Sequence, residues 1–269
     1  MKSQGRKGGL WPSDVWSEIP PGVGGGGGGV AAGVCGSTYP VPSLTGVKFW
    51  GAADRETGYA NSDPVGSFTD QSGSGNHATS AGAARPVFTN PVTGMGKAGL
   101  LFTPASGTKL RVPSLTYNPS SFTIALVVQP NTNDAGIAFE FTDIGGCYCY
   151  GDVGNSLKQT RTAVISAREA SSAWLYTTQV PKLVVVSFDG TNAGHTLRVN
   201  KAAVTLSDTI PLDPGTGSIT SVLDIGSRNG SLVNGWYLFE AWVVSPILSA
   251  GDRGSLETYL YDRWCLSYF

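Results

Sequence analysis

Charge and histidine are what this sequence has least of. Only 14% of its 269 residues are charged, eighteen basic against nineteen acidic, for a net charge of -1. A chain so balanced sets up no long-range field for a polyanion, and its basic residues form no stripe, so no nucleic-acid partner is expected. The two histidines, His77 and His195, lie far apart, and Cys147 and Cys149 are spaced C-x-C rather than C-x-x-C. A Cys/His zinc site therefore lacks its ligand pattern, and neither a metal nor a cofactor is expected. Cys35, Cys147, Cys149 and Cys265 are expected as thiols, in keeping with synthesis in a reducing compartment. No apolar run approaches the roughly 18–20 residues of a membrane span, so no membrane insertion is expected. The opening MKSQGRKGGLWPSDVW carries basic residues with no apolar stretch behind them, which argues against a signal peptide. Also missing are a G-x-S-x-G elbow, an H-E-x-x-H helix and a phosphate loop, since GVGGGGGGV lacks the Lys-Ser/Thr that would follow.

Glycine, by contrast, is abundant: 37 residues, six of them consecutive between positions 24 and 29. Such a run holds neither helix nor strand, because each glycine loses the most backbone entropy on ordering. It divides the chain into an arm, residues 1–34, and a domain, residues 35–269. Ahead of the leash, Leu10, Trp11, Val15, Trp16 and Ile19 are apolar enough to dock on a partner; the alternative is a disordered tail with stray aromatics.

From residue 44 onward a period of two dominates. SFTIALVVQP sets Phe122, Ile124, Leu126 and Val128 on one face with smaller residues on the other, and KLVVVSFDG reads as a strand buried on both faces. HTLRVNKAAV predicts a hairpin turning at Asn200-Lys201. VLDIGSR and WYLFEAWVV supply two more strands. Near the C-terminus, Ser249 with Asp252 three residues on resembles a capping box, and Leu256, Tyr259, Leu260 and Trp264 form a helical stripe. The expectation is an all-β sandwich of two antiparallel sheets, closed by one short C-terminal helix and preceded by an extended N-terminal arm.

The stretch DQSGSGNHAT, residues 70–79, poses a choice. Asp70, Asn76 and His77 would suit a metal or catalytic site. They also suit a tight turn, in which Gly73 and Gly75 supply positive φ while Asp70 and Asn76 bond nearby backbone amides. The turn is the better reading, with His77 packed rather than ligating.

Taken in order, GVKFWGAADRETG, DPVGSFTDQSGSGNHATSAGAARPVF, GLLF, SFTIALVVQP, LRVNKAAV, LDIGSRNG and FEAWVVSPILSAGDRGSLETYLYDRW resemble the concanavalin A-like, laminin G-like jelly-roll domains of phage virion proteins and bacterial surface proteins. The resemblance covers roughly residues 44–266. It implies a jelly roll of two curved sheets that binds sugars or proteins. Glucanases of this fold carry their acids as E-x-D-x-x-E on one strand, about 5–5.5 Å apart for retention. Here Glu140 and Asp143 are three apart, on opposite faces of a regular strand, and Glu240 stands alone, better paired with an arginine than catalytic. No enzyme is expected, and no catalytic residue is assigned.

Two functions remain. One is a virion structural protein, a capsid decoration or fibre component, held to other virion proteins of a large symmetric assembly by residues 1–34. The other, placed second, is a carbohydrate-binding module for host attachment, part of a phage tail fibre or bacterial surface protein, recognising a host-surface glycan. Its candidate ligand residues are Tyr148, Tyr150, Trp174 and Tyr176 as stacking platforms, with Asp152 and Asn155 for hydroxyls. For Trp174 and Tyr176 a place in the core of the strands is the slightly better reading. The expected location is the virion.

Overall fold

The computed structural model describes residues 40–269 except 104–106, 132–138, 142–146, 152–155, 162–165, 172–178, 190–195, 206, 209–217 and 227–234; side chains within 147–171 and 207–208 also lie outside the description. Among the described residues, seventeen strands run in chain order. They are β1 Val47–Ala52, β2 Ser67–Phe68, β3 Ala78–Thr79, β4 Val87–Thr89, β5 Gly99–Phe102, β6 Leu110–Tyr117, β7 Phe122–Pro130, β8 Phe139–Phe141 and β9 Cys147–Gly151. Then come β10 Ser156–Arg161, β11 Ser166–Ser171, β12 Lys182–Phe188, β13 Thr196–Val199, β14 Ala202–Val204, β15 Ser207–Asp208, β16 Ile219–Ile225 and β17 Trp236–Val244, before helix α1, Ala250–Arg263.

They form the expected sandwich. Sheet A runs β14-β13-β12-β7-β17-β5-β4, with β1 also pairing β17, and sheet B runs β15-β11-β10-β9-β8-β16-β6-β3-β2. Every pairing that joins them is antiparallel. The alternation along β7 explains the layering. Phe122, Ile124, Leu126 and Val128 enter the core between the sheets, where they meet Leu110, Val112, Phe139, Phe141, Leu223 and Ile225 of sheet B. The smaller Ala125 and Val127 face the other way, into a second core with Leu183 and Val185 of β12 and Leu256, Tyr259, Leu260 and Trp264 of the helical stripe. Sheet A is therefore covered on both sides, which is why β7 and β12 are buried along their whole lengths.

The hairpin and helix obey their local signals. Asn200 and Lys201 both take positive φ, 46° and 70°, as a two-residue turn between β13 and β14 requires. Ser249 caps α1: its Oγ accepts from the Asp252 N–H at 3.1 Å and donates to Asp252 Oδ2 at 2.8 Å. Two further ties hold the helix down. Arg198 on β13 bonds the buried Glu257 at 2.7 Å, and Lys97 Nζ donates to the Arg263 carbonyl at 2.6 Å. Just past the helix, Cys265 is disulfide-bonded. This corrects the expectation of a free thiol there: residue spacing carries no trace of a pairing made by the fold, and the partner sulfur lies outside the described side chains.

A single bulge in β17 sets which way its acid points. Between Leu238 and Glu240 the pairing of β17 with β7 shifts register, leaving Phe239 as an extra residue. Trp236 and Leu238 face the core between the sheets before the bulge, and Ala241 and Val243 face it afterwards. Strict alternation would have pointed Glu240 into that core. The bulge turns it instead toward the helix side, beside Phe239 and Trp242.

Candidate functional site

Among the described residues, three polar clusters compete for a functional role. The first is residues 70–79, and here the turn reading holds. Asp70 Oδ1 accepts from the N–H groups of Trp50 and Ser72 at 3.0 and 2.9 Å, and its Oδ2 accepts from Asn76 N–H at 2.9 Å. The Asn76 amide donates to the Lys48 carbonyl at 2.6 Å, and His77 Nδ1 accepts from Asp70 N–H at 3.1 Å. Gly73 and Gly75 adopt φ of 82° and 74°. Asp70 and Asn76 thus tie the loop to itself and to β1, and no group of His, Cys, Asp and Glu suited to a metal occurs among the described residues.

The second cluster surrounds Glu240, which is fully buried. Its Oε1 accepts from the indole N–H groups of Trp50 and Trp242, each at 2.8 Å, and its Oε2 accepts from Trp264 at 2.6 Å and from Arg263 Nη1 at 3.0 Å. Arg263 reaches on to Asp54 at 2.7 Å. Burial pushes the Glu240 carboxyl up from its ordinary value, opposed by Arg263 and then by the three indoles. The arginine partner expected from the sequence is thus Arg263. The cluster joins β1, β17 and the end of α1.

The third lies on the outer face of sheet B. Because Leu110, Val112, Leu223, Ile225, Phe139 and Phe141 fill the core, the residues between them face outward: Arg111 on β6, Asp224 on β16 and Glu140 on β8. Arg111 forks onto Asp224, Nε to Oδ1 and Nη2 to Oδ2, each 2.7 Å, while Lys109 stands 3.4 Å from Oδ2. Asp224 and Glu140 are only 1% and 3% exposed, although on an outer face. They are direct cross-strand partners, which places their Cβ atoms about 4.5–5.5 Å apart.

One register row crosses the sheet through these residues: Thr79, Arg111, Asp224, Glu140, Tyr148, Thr160 and Ala167. A second pairs Tyr150, Lys158, Glu169 and Ser207. At the β3–β6 end opens a cleft of about 390 Å³, lined by Thr79, Ser80, Ala81, Ala84, Lys109 and Arg111.

Of the residues singled out in the sequence, Tyr148 and Tyr150 fall on β9, where the backbone register aligns Tyr148 with Glu140. Their side chains lie outside the described residues, as do Asp152, Asn155, Trp174, Tyr176 and Asp143 and the arm residues Leu10, Trp11, Val15, Trp16 and Ile19. Sequence reasoning missed Lys109, Arg111 and Asp224. The available signal was a lone charge in each of two otherwise uncharged strands, LRVPSLTY and ITSVLDI.

No family model and no curated protein matches this chain. Solved structures do. The binding domain of botulinum neurotoxin serotype G is similar over 80% of this chain and 51% of that one, at 12% identity and a TM-score of 0.53. Botulinum neurotoxin type C, whose cell entry depends on interaction with two ganglioside molecules, matches at 13% identity and a TM-score of 0.52, over 80% of this chain and 51% of that one. An arabinofuranosidase complexed with arabinofuranosyl-α-1,2-xylobiose matches at 13% identity and a TM-score of 0.50, over 83% of this chain and 60% of that one. The chain spans roughly half the length of the toxin chains, and the likeness is one of fold: a two-sheet β-sandwich.

Proposed function

We propose that the protein is a non-enzymatic, lectin-like module that binds glycan on the outer face of sheet B. The observation carrying this reading is the register row that runs from the cleft at Thr79 and Arg111, across Asp224 and Glu140, to the tyrosine-bearing strand β9. It combines what a sugar site needs, charged and hydroxyl groups at one end and tyrosines further along. The resemblance to concanavalin A-like domains and the sandwich fold support it. Among the described residues, the neighbouring acids Asp224 and Glu140 are the arrangement closest to a glycosidase pair. Asp224, however, is committed to the Arg111 fork and both are nearly inaccessible, so neither suits a nucleophile or a proton donor. A panel of oligosaccharides tests the reading. Binding of at least one member is expected, weakened at least tenfold by Tyr148→Ala, with no release of reducing ends. Release that disappears in Glu140→Gln or Asp224→Asn would make the protein an enzyme instead.

On this reading residues 1–34 are an anchor that attaches the domain to a larger symmetric assembly such as a phage virion, as a decoration or fibre component. Support comes from Trp11 and Trp16, costly to leave in water and set behind a six-glycine leash. A leash also lets many copies engage one particle without fixed orientation. Deleting residues 1–29 is expected to leave a folded domain of unchanged melting temperature that no longer joins the particle. Normal incorporation of the deleted protein, or its unfolding, would dismiss the anchor.

A further inference from the structure

We infer that the cleft between β3 and β6 takes the carboxylate of an acidic sugar, with Lys109 as its counter-charge; this rests on the glycan-binding reading and names the class of ligand. The walls supply two cations, Lys109 and Arg111, two hydroxyls, Thr79 and Ser80, and the methyl groups of Ala81 and Ala84. Among the described residues no acid lines the cleft. The acid touching both cations, Asp224, lies beneath them with its side chain 2% exposed. Glu140 lies one strand beyond Asp224, so two strand spacings, roughly 10 Å, separate it from Arg111.

The two cations are not equivalent. Arg111 commits its fork to Asp224 at 2.7 Å through both oxygens. Lys109 meets the same carboxylate through one contact of 3.4 Å, and its side chain is 27% exposed. An ammonium carries three hydrogens, so Lys109 keeps donors for a second anion while Arg111 fixes the first. Ser80 already donates its hydroxyl hydrogen to the Ala84 carbonyl at 2.9 Å, which leaves its oxygen as an acceptor for a sugar hydroxyl. The two alanine methyls offer a small apolar floor for the C–H face of a ring. A point charge, an acceptor and an apolar floor fit a carboxylate carried on a pyranose better than a bare phosphate, for which a free guanidinium fork would be the expected partner.

Titration calorimetry on the full chain, with two matched pairs of probes, tests this: trigalacturonate against its methyl ester, and sialyllactose against lactose. At least one acidic member is expected to bind ten or more times tighter than its neutral partner, with the preference shrinking as salt rises. Lys109→Met should abolish that preference, so that the acidic and neutral members of each pair bind alike, and Lys109→Arg should restore it. Equal binding of acidic and neutral partners, or a preference that survives Lys109→Met, overturns the carboxylate assignment and leaves glycan binding standing. Failure of all four probes overturns the carboxylate assignment, and failure of the unaltered chain on a broader neutral panel as well overturns both.

Discussion

Glu240→Ala is expected to destabilise the domain by about 3–5 kcal/mol, the range for removing one partner of a buried ion pair. The residue accepts four hydrogen bonds at 2.6–3.0 Å, from three indoles and a guanidinium. Alanine leaves those donors facing a void, and each unsatisfied buried donor costs about 1–3 kcal/mol when counted alone. These costs overlap, because the groups act as one network and relax together. Arg263 keeps Asp54, which moderates the loss on its side. In a domain of this size each kcal/mol moves the melting temperature by about 2–4 °C, so a fall of roughly 6–20 °C is expected. Urea unfolding should show a lower midpoint with an unchanged slope. Glu240→Gln, which keeps the shape and one acceptor oxygen, should fall between wild type and alanine. A stability change below about 0.5 kcal/mol for alanine would mean that the cluster is incidental.

Ending the chain after residue 248 should be more damaging still. The cut removes Leu256, Leu260 and Trp264, all fully buried against the back of sheet A. At roughly 1.5–3 kcal/mol for each large apolar side chain, their loss amounts to about 5–9 kcal/mol, against a typical total of about 5–15. It also takes away two of the four donors to Glu240 and bares Phe239 and Trp242. The truncated chain is expected to aggregate or to unfold without a cooperative transition. Leu256→Ala and Leu260→Ala provide a graded check, each expected to cost about 2–5 kcal/mol. A truncated protein with the wild-type melting temperature would reduce the helix to an ornament.

Both expectations depend on features that differ in how far the sequence displays them. The helix was legible because its signals are local: a capping serine, an acid three residues on, a stripe at helical spacing. The Asn200-Lys201 hairpin and the loop at residues 70–79 were legible for the same reason, since their turns rest on positive φ at neighbouring residues. The environment of Glu240 was not, because a one-residue bulge reverses the parity of β17, and alternation counted along WYLFEAWVV gives no sign of where it breaks. Nor was the meeting of Arg111, Glu140 and Asp224. It is made by strand order, β6-β16-β8, which brings together residues far apart in the chain and silent about one another in composition. Cys265 escaped for a related reason, as a single cysteine advertises nothing about its partner.

The double covering of sheet A has an evolutionary consequence. A strand walled in on both sides leaves nearly every position answerable to packing, so most changes in β7, β12 or β17 threaten the fold itself. On the far side of sheet B from the core, by contrast, Thr116 and Thr220 are exposed. Substitutions at such positions usually stay within about ±0.5 kcal/mol. The architecture thus separates a layer that must be inherited nearly intact from a layer free to drift, and a lineage can rewrite its outer face many times over without renegotiating how the chain folds.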